Sequence, residues 1–261
     1  MPELQKAFSK QALQPIFTKI EAVRVANPPP RALPKKSERD LKADELRVRF
    51  SDIHASLARC LSWLRQPSAE TFSNFQLDAA EKDQAKALAI SKRFSERLMT
   101  RLIDETHPEA GILFLGFTGT GKTHLAKAIL TDLAARKAPG FFIPASEYFD
   151  LYTPAYAAKL DQPLWKIRQW LASTSCLVID EVGTSAWTDA RKDRLQQIID
   201  LRTANRLPTI VTTNLAQADF DAAGAERIAS RFNQVLYPVK CTWSDFRKRS
   251  ALKNLKPEEV F

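Results

Sequence analysis

The segment Gly116–Thr123 constrains this chain more than any other, because it matches the pattern G-x-x-x-x-G-K-[ST] in a fitting context. The apolar run 112–115 precedes it and predicts a buried strand, and the Ala- and Leu-rich run 124–137 follows it and predicts a helix. Glycines let such a loop wrap a phosphate with backbone N–H groups, and the helix start adds positive potential. A glycine-rich turn without a ligand is the alternative, but it does not account for both flanks.

The segment therefore predicts a nucleotide-phosphate site. The residues assigned to it are Gly116, Phe117, Thr118, Gly119, Thr120, Gly121, Lys122, Thr123 and His124. Within it, we expect Lys122 to reach the outer phosphates and the Thr123 hydroxyl to hold Mg²⁺.

The composition is that of an ordinary globular chain, with 44% hydrophobic and 26% charged residues over 261 positions. No apolar run approaches the length that spans a bilayer, and the N-terminus lacks the apolar block of a secretory signal. The cysteines and histidines are scattered and form no metal-ligand spacing. They are Cys60, Cys176, Cys241, His54, His107 and His124. We expect neither a zinc site nor a disulfide framework, and a reduced, cytoplasmic setting.

The net charge of +9 is concentrated at the two ends. Residues 1–66 carry 13 Lys+Arg against 7 Asp+Glu, and residues 240–261 carry 6 against 3, whereas residues 67–239 carry 20 of each. Basic ends on a neutral middle favour a polyanion or an acidic partner bound outside the phosphate site. Solvated surface charge explains the same numbers, so both interpretations stay open.

Two regions are expected along the chain: a basic helical N-terminal region over 1–66, and a nucleotide-binding domain over 67–261. The Pro-rich run 27–36 interrupts any helix and predicts a semi-rigid linker. Beyond it, apolar residues recur at spacings of three and four and predict an amphipathic helix. They are Leu46, Phe50, Ile53, Leu57, Leu61 and Leu64. This seam either binds a partner or packs on its own domain, and the pattern does not distinguish the two.

The rest of the chain alternates helices with short β runs. A helix is predicted over 79–106, and the candidate strands are 111–116, 140–145, 176–181, 208–213 and 236–241. Such alternation predicts an α/β fold in which helices cover both faces of a parallel sheet.

Two adjacent acids, Asp180 and Glu181, end the third predicted strand. The carboxyl ends of central parallel strands face the ligand crevice of such a sheet. We therefore expect Asp180 to hold Mg²⁺, directly or through water, and Glu181 to polarise a water for attack on a γ-phosphate. Two acids that merely begin a polar loop are the alternative.

Further polar residues follow the fourth strand. Asn214 is placed to orient the attacking water, although asparagine is also a routine strand terminator. Arg227 and Arg231 are four residues apart in a predicted helix over 225–235, so they share one side of it. They are either solvent charges or arginines offered to the γ-phosphate of a neighbouring subunit.

The order of these motifs resembles the AAA+ ATPase module and, more narrowly, the DnaC/IstB family, in particular its DnaC-type helicase loaders. The phosphate loop continues as Gly-Lys-Thr-His-Leu-Ala, residues 71–75 read Thr-Phe-Ser-Asn-Phe, and residues 242–249 read Thr-Trp-Ser-Asp-Phe-Arg-Lys-Arg. All three segments are similar to that family, and the resemblance covers residues 70–250 or thereabouts.

The resemblance implies roles for individual residues. It assigns the Walker A roles to Lys122 and Thr123 and the Walker B roles to Asp180 and Glu181. It makes Asn214 the sensor I residue and Arg231 the arginine finger. Arg227 becomes a supporting basic residue. No helical lid of full size fits after residue 250, so no sensor II arginine is assigned. Residues 1–66 lack the zinc ligands of some relatives, and a helicase-binding role for them follows from their position and from the apolar seam between Leu46 and Leu64, not from a motif.

The stretch 146–173, between the second and third predicted strands, interleaves aromatic and basic residues. Bases stack on aromatic faces while cations follow the backbone, so this mixture suits single-stranded DNA. The resemblance implies an extra helix here that lines the channel of an oligomer. We select Lys159, Lys166 and Arg168 as candidate DNA contacts, and we expect Trp165 and Trp170 to pack onto the sheet instead.

The leading hypothesis is an ATP- and Mg²⁺-dependent helicase loader that engages a DnaB-type ring helicase and single-stranded DNA and self-associates through its ATP interface. The main alternative is an IstB-like transposition helper that binds duplex DNA and a transposase; the ending at 243–249 and the N-terminal region favour the loader. A small-molecule kinase explains neither the adjacent acids nor the paired arginines. A nucleotide-gated adaptor without turnover is disfavoured by Glu181.

Overall fold

The structure is a computed structural model that describes residues 36–246, apart from 67–68, 80 and 107–110. The predicted linker and the helices expected before it lie outside the described residues, except for Lys36. By contact density the chain divides between Glu38 and Arg39, and everything below concerns the unit that begins at Arg39, together with the first turn of its first helix.

Nine helices and five strands make up the described part of the chain. The helices are α1 (Glu38–Cys60), α2 (Lys82–Asp104), α3 (Lys122–Ala135), α4 (Ala145–Asp150), α5 (Pro154–Ala157), α6 (Leu164–Ser173), α7 (Asp189–Ala204), α8 (Gln217–Ala222) and α9 (Glu226–Val235). The strands are β1 (Gly111–Gly116), β2 (Phe141–Pro144), β3 (Leu177–Val182), β4 (Thr209–Thr213) and β5 (Leu236–Cys241). Every predicted strand is confirmed to within one residue at each end.

The strands form one parallel sheet in the order β2-β3-β4-β1-β5. Because parallel strands need crossover connections, the helices between them lie on the two faces of the sheet. Strand β4 lies between β1, which leads into the phosphate loop, and β3, which ends in the adjacent acids. The three carboxyl ends therefore meet at one edge. This confirms the predicted α/β fold.

The sheet is buried on both sides. One face packs against α4, α6, α7 and α9 and contains Ile179 and Val211, and the other packs against α2 and α3 and contains Phe114 and Ile210. Strands β3 and β4 are almost continuously apolar for this reason, since a strand covered on both faces has no solvent side. Among the described residues, no helix is long and apolar enough to cross a bilayer.

The seam of α1 packs on the same domain. Leu57 and Leu61 are fully buried in one cluster of the core, and Phe50 is buried against Met99 and Leu207 in another. Of the two alternatives left open by the pattern, the structure has the helix folded back on its own domain. The division between Glu38 and Arg39 therefore lies nearer the N-terminus than the predicted boundary at residue 66. The helix ends at Cys60, and Leu61 lies in the turn that follows.

Candidate functional site

The phosphate loop joins β1 to α3 in the predicted strand–loop–helix arrangement. Gly119 and Gly121 have φ angles of 76° and 85°, in the left-handed region where a side chain is strained. Gly121 is also the residue before the first turn of α3, so the backbone N–H groups of that turn point toward the loop. The loop thus presents several backbone donors at the positive end of a helix, which is the arrangement that binds phosphate.

Lys122 is buried and folded back onto the loop. Its ammonium donates hydrogen bonds to the carbonyls of Gly116 (2.8 Å) and Phe117 (2.6 Å). These are neutral acceptors, and a triphosphate offers the same ammonium a charged one, which makes a stronger hydrogen bond. The ammonium of Lys122 is therefore held against the phosphate loop by these two carbonyls.

Asp180 lies at the end of β3 beside the first turn of α3. The hydroxyl of Thr123 donates to both of its carboxylate oxygens (3.0 and 3.1 Å), and the hydroxyl of Thr212 donates to Oδ1 (2.6 Å). Burial raises the pKa of Asp180, and the hydrogen bonds from Thr212 and Thr123 oppose that rise. A buried carboxylate adjoining a threonine hydroxyl is an all-oxygen set of the kind that Mg²⁺ prefers.

Glu181 is exposed and has a left-handed backbone with φ of 58°. The register between β3 and β4 shifts between Ile179 and Val182, so a bulge lies at the two acids. In a regular strand Asp180 and Glu181 would point to opposite faces, whereas a bulge re-aims a side chain. Glu181 here lines the same cavity as the phosphate loop, together with Asn214.

This cavity has a volume of about 410 Å³, within the range of a small-molecule site. It brings together most of the predicted site: residues 118–124 of the loop, Glu181 and Asn214. Sequence reasoning did not assign the rest of its lining. Those residues are Glu70, Asn74, Phe75, Gln76, Gln84, Lys127, Thr212 and Phe246.

One wall comes from the segment that precedes α2. His124 Nε2 donates to the carbonyl of Thr71 (2.9 Å), and Lys127 pairs with Glu70 (3.1 Å), so two side chains of α3 fasten this segment beside the loop. Phe75 packs edge-on against the His124 ring, with centroids 5.4 Å apart. An aromatic ring that lines the cavity beside the phosphate loop suits a planar base. The Thr-Phe-Ser-Asn-Phe sequence drew attention to this segment by its resemblance to the family, but the sequence did not predict that the segment contacts the phosphate loop.

The opposite wall comes from the segment after β5. The indole N–H of Trp243 donates to the carbonyl of Thr120 (2.8 Å), and the N–H of Phe246 donates to the carbonyl of Gly119 (2.9 Å). The Asp245 carboxylate lies so close to Gly119 that a β-carbon there would be 1.7 Å from Oδ1. Residues 243–246 therefore clamp the outside of the phosphate loop, and residue 119 must be glycine.

The two arginines lie together in a separate surface groove between α7 and α9. Arg227 is exposed, and Arg231 pairs with Asp200 (2.7 Å) and donates to Gln234 (2.6 Å). They share one side of the helix, as their spacing predicted. This groove is separate from the nucleotide cavity, so Arg231 does not line the nucleotide cavity of its own chain.

The three candidate DNA contacts each lie over an aromatic ring of the same insertion. Lys159 lies over Tyr156 (4.9 Å), Lys166 over Trp170 (5.2 Å) and Arg168 over Tyr152 (5.9 Å). Lys159 is exposed, whereas Lys166 and Arg168 are half-buried and hydrogen-bonded to glutamines.

The two tryptophans of the insertion differ. Trp170 packs against the core as expected, but Trp165 is 64% exposed, so the expectation that both would pack onto the sheet is wrong for Trp165. Its neighbours explain this, because α6 buries Ile167 and Leu171 and turns residue 165 to the other side.

Comparisons with known proteins agree with this geometry. The family described as IstB-like ATP binding protein matches residues 69–231. The chain is 24% identical to the replicative helicase loader DnaC of Escherichia coli K12, over 69% of each chain. It is 27% identical to the insertion sequence IS232 putative ATP-binding protein of Bacillus thuringiensis, over 68% of this chain and 64% of that one.

Solved structures share the fold. The crystal structure of the DnaC helicase loader matches with a TM-score of 0.54 at 22% identity, over 66% of this chain and 96% of that one. The replication initiator DnaA bound to AMPPCP and single-stranded DNA matches with a TM-score of 0.55 at 17% identity, over 73% of this chain and 58% of that one.

Proposed function

Because this chain belongs to the IstB-like ATP-binding protein family and is an ATPase with the AAA+ P-loop fold, we propose that it is a replicative helicase loader that engages a DnaB-type ring helicase and single-stranded DNA. One observation carries the proposal: the sequence is 24% identical to the replicative helicase loader DnaC of Escherichia coli K12 over 69% of each chain. A phosphate loop alone is common to many unrelated functions, whereas this likeness extends well beyond the loop.

ATP is bound by the loop and the two walls. The backbone N–H groups of residues 118–123 surround the phosphates, and Lys122 moves from the two loop carbonyls to the outer phosphates. Phe75 and Phe246 are the aromatic rings offered to the base, since both line the cavity.

Mg²⁺ fits beside Thr123 and Asp180, whose oxygens already adjoin each other. There it would neutralise charge on the β- and γ-phosphates. Thr123 would hold the ion through its hydroxyl oxygen, and Asp180 would hold it directly or through water.

Glu181 and Asn214 prepare the attacking water. Both line the cavity at the carboxyl end of neighbouring strands, where Glu181 accepts a proton from the water and Asn214 fixes its orientation. Arg231 lies in a separate groove of the same chain, so it serves the γ-phosphate of a neighbouring subunit, with Arg227 beside it. A lone subunit is therefore a slow ATPase, and self-association accelerates it.

Single-stranded DNA is assigned to the insertion over 146–173. Replacing Lys159, Lys166 and Arg168 by glutamine in one variant removes three cations. The negative slope of log K against log salt then becomes less steep by about 2 for a single strand. The measurement is fluorescence anisotropy with labelled oligonucleotide at several salt concentrations. An unchanged slope removes these residues from the DNA interface.

The helicase role is tested by co-purification of the full chain with a DnaB-type helicase from the same source, with and without ATP and single-stranded DNA. We expect a complex that forms with ATP and is weakened by Lys122→Ala, in which the phosphate ligand is removed. The family match and the IS232 relative favour a second candidate, a transposition helper that binds duplex DNA. Recovery with a transposase, and none with the helicase, would select that candidate.

A further inference from the structure

Thr212 is hydrogen-bonded to both acids of the site. Its hydroxyl donates to Asp180 Oδ1 (2.6 Å) and accepts from the backbone N–H of Glu181 (2.8 Å), so its hydrogen and one lone pair are both used. It is buried in β4, the strand between the phosphate-loop strand and the acid-bearing strand. A single side chain thus joins the carboxylate of one acid to the backbone of the next.

The bulge at the two acids explains why such a link is needed. A bulge interrupts the regular ladder and leaves a backbone group without its usual partner. Here the N–H of Glu181 is satisfied by a side chain of β4 instead of a backbone carbonyl. Glu181 is also left-handed at φ 58°, a conformation that is unfavourable for a non-glycine residue and needs support from its surroundings.

The neighbouring Thr213 shows that the contact with the two acids belongs to one face of β4. Thr213 is equally buried, and its hydroxyl also donates one hydrogen bond and accepts another, to Val182 O (2.8 Å) and from Leu215 N (3.0 Å). Successive strand residues point to opposite faces, so only one of the two threonines meets the acids.

We propose that Thr212 is a positioning residue for ATP hydrolysis, which fixes the Asp180 carboxylate and the bulged backbone of Glu181 in the geometry that the reaction requires. The inference rests on the proposed roles of these two acids. Thr212 acts through the two acids, because its hydroxyl is engaged by Asp180 Oδ1 and by the N–H of Glu181. It therefore affects the rate of the chemical step and leaves nucleotide binding largely unchanged.

Thr212→Val tests this, because valine keeps the shape and removes the hydroxyl. We expect kcat to fall about 10- to 100-fold, the range that follows misplacement of catalytic groups by about 1 Å. The ATP affinity measured by calorimetry in EDTA should stay within a factor of about 3, since the hydroxyl of Thr212 is engaged by Asp180 and Glu181 and is not offered to a phosphate. Thr212→Ser restores the hydroxyl, and we expect it to recover most of kcat.

Thr213→Val is the matched control, because it loses the same number of hydrogen bonds without touching either acid. We expect both valine variants to lower the urea midpoint similarly, with only Thr212→Val losing kcat. Wild-type kcat in Thr212→Val, an equal loss in Thr212→Ser, or an equal loss in Thr213→Val would each overturn the proposal. Failure of the wild-type chain to turn over ATP would instead overturn the ATPase assignment of Asp180 and Glu181.

Discussion

Arg202 carries a fully buried guanidinium, and its removal should lower the free energy of unfolding of this domain by a large fraction. It donates to the carbonyls of Leu171 (2.7 Å), Thr174 (3.0 Å) and Pro208 (2.5 Å), and to the hydroxyl of Thr209 (3.1 Å). Burial lowers its pKa to about 10, which still leaves it charged at neutral pH. It thereby ties the end of α6 to the start of β4, the strand whose other end carries the site.

The expected magnitude follows from the acceptors that remain. Arg202→Met keeps a long apolar side chain, so the main loss is the donor that Arg202 supplies to three buried carbonyls, each worth about 1–3 kcal/mol. The carbonyl of Pro208 keeps the hydrogen bond from the N–H of Leu177 (3.4 Å), so its share is the smallest. The penalty for burying a charge disappears as well and offsets several kcal/mol of this sum. We expect a net loss of about 3 kcal/mol, against a total of roughly 5–15 kcal/mol for a domain.

The assay is equilibrium urea unfolding of the full chain, followed by circular dichroism. A loss of about 3 kcal/mol shifts the midpoint by about 1–3 M for m-values of about 1–3 kcal/mol/M. Arg206→Met is the control, because that side chain is 63% exposed and pairs with Glu105 at 3.6 Å, so its loss should stay below about 0.5 kcal/mol. Equal midpoints for the two variants would show that the carbonyls do not depend on Arg202, and would refute this reasoning.

Three further outcomes are expected. Glu181→Gln should keep ATP binding and lower turnover by about 100-fold or more in a phosphate-release assay, and persistent turnover would mean that the base is misassigned. Gly119→Ala should weaken ATP binding at least about 5- to 30-fold by calorimetry, because left-handed strain alone costs about 1–2 kcal/mol and Asp245 adds a clash; unchanged affinity would contradict a rigid loop. Leu57→Ala should destabilise the chain by about 2–5 kcal/mol in thermal unfolding, whereas Val48→Ala, at a position 62% exposed, should change it by less than about 0.5 kcal/mol; equal effects would contradict the packing of α1 on the core.

The phosphate loop, the strands and the polar residues at the carboxyl ends of the strands were predictable because they depend on local spacing along the chain. Gly116–Thr123 has its glycines and lysine at fixed offsets, and an apolar run before it and an Ala-rich run after it set the strand and the helix. Asp180, Glu181 and Asn214 each follow an apolar run, and parallel strands bring their carboxyl ends to one edge whatever the details of packing. Their roles in catalysis stay predictions.

Contacts between residues far apart in the chain were decided by the tertiary structure alone. An amphipathic seam has the same pattern whether it packs on its own domain or on a partner, and only burial of Phe50 and Leu57 distinguishes the two. Thr212 and Thr213 are identical residues side by side, and the register of β4 against a bulge in β3 selects the one that meets the acids. The walls of the nucleotide cavity come from residues 70–76 and 243–246, which approach the loop only because the sheet and its helices bring both chain segments to the same edge.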